Sequence, residues 1–175
     1  MKLEDDDFTL FGLAPAFALD RAELDARWRA LQAQVHPDRF ASEGTAAQRV
    51  AMQWAMRVNE AYRRLRDPVA RAAYLCGLRG APVQAEGSAA LPPGFLVQQM
   101  QWRERLDEAD GAPALRALDA EAQASEREAF EQLARQLDGH GAAGAPAEAA
   151  ATVRVLMFVR RFREDLARRL EPFEA

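Results

Sequence analysis

The chain has 175 residues, 49% hydrophobic and 29% charged, enough apolar matter to bury a core in one ordinary domain or two small ones and too much for wholesale disorder. A formal net charge of -4 argues against a protein that lives on phosphate backbones, and the single cysteine, Cys76, excludes an internal disulfide and a thiolate-cluster zinc site. The opening MKLEDDDF is acidic and lacks the apolar run of a secretory signal, and no stretch reaches the length of a membrane span, so a soluble cytoplasmic protein is expected.

Alternating runs of Val, Ile and Thr are absent while Ala, Leu, Arg, Glu and Gln dominate, so the expected fold class is all-α. FTLFGL, at 8 to 13, reads as a short helix. Asp20 is placed to cap a longer one whose Leu24, Trp28, Leu31 and Val35 share a stripe, with Arg27 on its flank and Arg29 pointing away. That helix must stop near Val35, because Pro37 disfavours helical geometry at His36. The next is expected after Gly44, where Thr45 and Gln48 match a capping box and Val50, Trp54, Val58, Ala61 and Leu65 form a buried stripe. Two such stripes pack most simply as an antiparallel hairpin with His36, Pro37 and Asp38 at its exposed tip. DPVARAAYL, at 67 to 75, carries proline at the first helical position and reads as a short helix that, with the first, covers the hairpin's base.

From residue 80 the text becomes GAPVQAEGSAALPPG, without helical periodicity, and reads as a linker. The expected division is therefore 1–79, a linker over 80–93, and 94–175. The first block holds 12 basic and 11 acidic side chains, a balance of +1; from residue 80 onward there are 11 basic and 16 acidic, a balance of -5. Three helices are expected in the second block, near 94 to 110, 113 to 138 and 147 to 171, with GHGAAGAP between the last two. Leu115, Leu118, Ala122, Phe130, Leu133 and Leu137 make the middle helix amphipathic; Val155, Val159, Phe162, Leu166 and Leu170 do so for the last. A three-helix bundle follows.

The His36-Pro37-Asp38 triplet admits several roles. A catalytic pair of His36 and Asp38 in an exposed turn would lack a nucleophile, a pocket and oxyanion donors. A metal site needs three or four ligands, whereas the chain has two histidines, the other being His140 in a Gly/Ala loop. Taken alone, the triplet also fits a turn in which His36 and Asp38 bond only the local backbone.

Its context is more specific. With VHPDRF between two helical segments and NEAYRRLRDP after them, residues 5 to 79 resemble a J-domain, the module that docks on DnaK-type chaperones and stimulates their ATPase. FTLFGL, HPDRF and AAYL ahead of a linker and a helical tail resemble the HscB-type co-chaperones of iron-sulfur cluster assembly over nearly the whole chain. The resemblance implies an N-terminal J-domain hairpin with short flanking helices joined to a C-terminal three-helix bundle. It further implies that His36, Pro37 and Asp38, with Arg39, Arg27 and Arg29 adding charge, contact an HscA-like chaperone and catalyse nothing themselves. The rival for those arginines is an ordinary solvated helix face.

FLVQQMQWRERLDE, at 95 to 108, carries more apolar side chains than inward packing needs. At about 100° per residue, Phe95, Trp102 and Leu106 cluster on one side while Leu96, Val97 and Met100 lie roughly 140° away, bordered by Gln101, Glu104 and Glu108. Pattern alone leaves open that this second stripe is also buried. In HscB-like proteins this face binds the IscU-like iron-sulfur scaffold, which implies Leu96, Val97, Met100, Gln101, Glu104, Glu108 and, on the last helix, Phe158 as contacts. Gln101 stands where the family pattern has an acidic residue, and Arg105 adds positive charge beside it. No metal or other cofactor is expected on this chain, and Cys76 reads as a small packing residue. Membrane and nucleic acid are not expected partners. The alternatives are a J-domain co-chaperone with another client, and a helix-turn-helix nucleic-acid binder, which the long inter-helix loop carrying Asp38 and Glu43 argues against.

Overall fold

The computed structural model describes residues 2–40, 42, 44–83, 91–139 and 145–173. His140, Glu43 and residues 84–90, half of the expected linker, lie outside the described residues. Seven α-helices and no strand occur among the described residues, and the chain divides into two compact units, Met1–Leu75 and Cys76–Ala175.

Helix α1, Asp7–Phe11, begins where the Asp6 carboxylate accepts from the N–H groups of Phe8 and Thr9, and ends at Gly12, whose φ of 64° lets the chain reverse in the left-handed region. Helix α2, Arg21–Val35, starts on the Asp20 carboxylate, which takes the Ala22 and Glu23 N–H groups. It stops at His36, which is extended as the residue before a proline must be (φ -62°, ψ 128°). Pro37–Phe40 forms one 3-10 turn.

Helix α3, Thr45–Arg66, has Gly44 at its N-cap with φ 90° and no capping side chain. The expected capping box at Thr45 and Gln48 is therefore not formed: Thr45 is already helical, and the glycine makes the turn that a Thr side chain would otherwise have anchored. The buried stripe also begins one residue later than expected, with Ala51 at 4% exposure and Val50 at 53%. Positions 51, 54, 58, 61 and 65 keep the alternating three-four spacing of a single face, and Val50 falls beside it.

The α2–α3 hairpin is antiparallel. The Trp28 and Tyr62 rings stack at 4.6 Å, the Tyr62 hydroxyl donates to Asp25 at 2.8 Å, and Asn59 Oδ1 accepts from Trp28 Nε1 and from Gln32. Against its base lie α1 and helix α4, Pro68–Leu78, capped by Asp67 through the Val69 and Ala70 N–H groups. Asp7, wholly buried, is ion-paired to Arg57 at 2.7 Å and Arg64 at 2.8 Å on α3. A buried carboxylate is tolerable only when paired in this way.

In the second unit, α5 (Pro93–Glu108), α6 (Ala112–Asp138) and α7 (Pro146–Leu170) form the bundle, with a 3-10 turn, Glu171–Phe173, after the last. Phe95, Trp102 and Leu106 of α5 join Leu115, Leu118 and Ala122 of α6 and Val155, Val159, Phe162 and Leu166 of α7 in one core. Farther along α6, Ala129 is the buried residue and Phe130 is half-buried. Leu170 likewise only borders the core. Arg163 on α7 fastens the pair by bonding Asp119 and Glu126 on α6, both at 2.8 Å. No helix among the described residues is long and apolar enough to cross a membrane.

Candidate partner-docking surfaces

Two exposed surfaces carry the residues singled out in the sequence. At the hairpin tip the side chains of His36 and Asp38 are 55% and 89% exposed. His36 Nδ1 accepts from the backbone N–H of Asp38 at 3.3 Å and lies 3.5 Å from the Asp38 carboxylate. A neutral His36 ring accepting at Nδ1 carries its proton on Nε2, so one donor is presented beside an almost bare carboxylate. Pro37 fixes the backbone between them. Among the described residues, no group of three or more His, Cys, Asp and Glu is arranged to hold a metal ion.

The three arginines differ. Arg29 is exposed. Arg39 is exposed but tethered, donating to the Ala33 carbonyl at 2.9 Å, one of the acceptors that the last turn of α2 leaves without a helical partner. Arg27 is half-buried and donates to the Phe11 and Gly12 carbonyls at 2.7 and 2.6 Å and to Glu23. Its guanidinium closes the C-terminal end of α1, a role that spacing along α2 did not disclose.

On α5 the two apolar stripes separate physically. Phe95, Trp102 and Leu106 are core residues, at 8% exposure or less, whereas Leu96, Val97 and Met100 are 41%, 57% and 73% exposed. Gln101, Glu104 and Glu108 are exposed along the same face. Arg105 turns from that face to α6, where it grips both carboxylate oxygens of Glu121 at 2.6 and 2.7 Å. That hydrogen bonding holds the Glu121 carboxyl below its ordinary range and raises Arg105, so the positive charge expected beside Gln101 is neutralised from α6. Phe158 is half-buried: Phe95 meets its ring edge-on at 5.5 Å, Phe162 stacks at 6.0 Å, and the Arg103 guanidinium lies over it at 5.6 Å. Phe158 thus forms the margin of the strip, under an arginine, whereas Leu96, Val97 and Met100 form its open centre.

Comparison with known proteins adds an independent line. Residues 91–167 match the family model described as the HSCB C-terminal oligomerisation domain. The chain is 49% identical, over 99% of both sequences, to the co-chaperone protein HscB homolog of Burkholderia multivorans, and 48% identical, with the same coverage, to that of Burkholderia cenocepacia. Among solved structures, chaperone HscB from Vibrio cholerae superposes with a TM-score of 0.80 at 34% identity, over 97% of this chain and 99% of that one. The human co-chaperone protein HscB shares the fold, with a TM-score of 0.89 at 23% identity over 98% of this chain and 85% of that one.

Proposed function

This chain belongs to the HscB family of co-chaperones, and on that premise we propose that it is a two-faced adaptor of iron-sulfur cluster assembly in the cytoplasm. Residues 94–175 collect an IscU-like scaffold protein on Leu96, Val97 and Met100 with Gln101, Glu104, Glu108 and the margin at Phe158. Residues 1–79 deliver it to an HscA-like chaperone through His36, Pro37 and Asp38, with Arg29 and Arg39 alongside; Arg27 supports them by fixing α1 against α2. The cluster is cargo of the scaffold, and this chain is neither an enzyme nor the holder of a cofactor.

The observation that carries this reading is the solvent-facing tip, in which a donor and a carboxylate flank a proline at the exit of a capped helix. Such a tip accelerates another protein's hydrolysis only if it binds the hydrolysis-competent form of that protein more tightly than the resting form. A positioned carboxylate suits a cationic acceptor site on the chaperone, and the exposed arginines would speed and orient encounter. The α5 strip supplies the complementary device for a client, an apolar centre with a partly acidic rim.

Single-turnover ATP hydrolysis by the matching chaperone tests the proposal. Addition of the chain is expected to accelerate hydrolysis, and His36→Gln to remove the acceleration while the circular dichroism spectrum is unchanged. A wild-type chain without effect on the rate would reject the reading.

A further inference from the structure

Thioether sulfur in this chain is kept out of the core. Of five methionines, the four among the described residues, Met52, Met56, Met100 and Met157, are 57%, 67%, 73% and 37% exposed, whereas the buried apolar side chains are Phe, Leu, Val, Ala, Trp and Cys. That reverses the usual placement, since methionine is among the residues most often buried. The one thiol is sheltered. Cys76 is wholly buried, and burial pushes its thiol above the ordinary range, away from the thiolate form that oxidants attack. A two-electron oxidant therefore meets thioethers at the surface before it meets any sulfur packed in the fold. Met100 is the most exposed of the four and sits in the open centre of the α5 strip, one turn from Leu96 and Val97 on the same face. Its nearest rim residue on that face, Glu104, is a carboxylate, which accepts hydrogen bonds and donates none. Gln101 follows directly in the chain but points about 100° away.

We propose that Met100 is a reversible oxidation site through which hydroperoxides switch off the α5 strip. The inference rests on the scaffold-docking role proposed above and adds its regulation. The thioether sulfur attacks the distal oxygen of the peroxide; the O–O bond breaks, an S–O bond forms, and the departing oxygen leaves as water or an alcohol. Sulfur is thereby oxidised by two electrons and the peroxide reduced. The sulfoxide places a strong acceptor where the partner's apolar surface must seat, and without a donor for it the desolvation of that oxygen opposes binding. The fold is spared, because the altered side chain faces solvent in the free chain. A methionine sulfoxide reductase, drawing two electrons from a pair of thiols, returns the thioether and with it the strip. Met52, Met56 and Met157 are open to the same chemistry, but none of them is on α5, so scaffold affinity follows Met100.

The test treats the full chain with hydrogen peroxide, reads by peptide mass spectrometry which methionines gain an oxygen, and measures affinity for the scaffold protein by calorimetry before and after. The wild-type chain is expected to bind about tenfold more weakly once Met100 is oxidised, with an unchanged circular dichroism spectrum, and to recover after treatment with reductases for both sulfoxide epimers. Met52→Leu, Met56→Leu and Met157→Leu combined, which leaves Met100 in place, should show the same loss. Met100→Leu should bind with one affinity before and after peroxide, whatever that affinity is. A Met100→Leu chain that weakens on oxidation as much as the wild type would overturn the proposal, as would a wild-type affinity that stands with Met100 oxidised. So would peroxide that oxidises Met52 and Met56 and spares Met100. An untreated wild-type chain that binds no scaffold would overturn the function proposed above, and this inference with it.

Discussion

Arg27 stands sixteen residues from Phe11 in the chain and yet donates to its carbonyl at 2.7 Å, beside a glycine whose φ of 64° no side chain adopts cheaply. A Cβ placed on Gly12 would come within 2.8 Å of Arg27 Nη1. Gly12→Ala therefore combines left-handed strain, about 1–2 kcal/mol, with displacement of the guanidinium, and Arg27→Ala strands two carbonyls, about 1–2 kcal/mol with partial compensation by water. Both losses should appear as a lower urea midpoint, and the double substitution should cost less than their sum because they share one contact. Tyr62 offers a second test. Its hydrogen bond to Asp25, with some burial, raises the phenol above its ordinary value. An acid raised in the folded state contributes stability that is present below its unfolded pKa, about 10, and is lost as pH rises through the folded value. Absorbance titration should show Tyr62 ionising late, and Asp25→Asn should move it back toward normal; an ordinary titration in the wild type would mean the bond is not made in solution.

At the scale of elements, what the sequence disclosed was whatever depends on neighbours three or four residues away. Asp20, Asp67 and the His36-Pro37 stop are local chemistry, and α2 and the tip came out as expected, while α4 starts where its proline places it and runs past the expected Leu75 to Leu78. The α3 start was misread because Thr45 and Gln48 fit a capping pattern that Gly44 pre-empts through its backbone, and the α6 stripe slipped at Phe130 because a long helix shifts its buried face by a residue along its length. The two stripes of α5 were legible as a pattern, but only coordinates show that the second is exposed. Arg105 gripping Glu121, and Phe158 lying beneath Arg103, join residues far apart in sequence and leave no local trace. The separation of stripes predicts opposite phenotypes on one helix. Trp102→Ala, at 2% exposure, should destabilise the fold by about 3–5 kcal/mol. Leu96→Ala with Met100→Ala should change stability by less than about 0.5 kcal/mol each, yet weaken scaffold binding about tenfold or more in calorimetry. Unchanged affinity would remove the strip from the scaffold site.

Across the whole molecule, each docking face is built inside one unit: the tip within Met1–Leu75, fixed by the α2–α3 hairpin, and the strip within Cys76–Ala175, fixed by the bundle. The bonds that position each face lie within its own unit, so their local binding energies should be separable. Substitutions without shared partners add to within about 0.3–0.5 kcal/mol. His36→Gln is thus expected to bind the scaffold with wild-type affinity while losing ATPase stimulation, and Leu96→Ala with Met100→Ala to stimulate the chaperone normally when no scaffold is present. The consequence that belongs to neither unit appears when scaffold and chaperone are mixed. Covalent connection turns the second encounter into an intramolecular one at a raised effective concentration, so the wild-type chain should increase the amount of scaffold captured by the chaperone, whereas an equimolar mixture of the two variants should not. Each variant in that mixture can still hold one partner, but no single molecule holds both. Equal capture by the mixture would show that the scaffold reaches the chaperone without being carried, and that the two faces share a chain for some other reason.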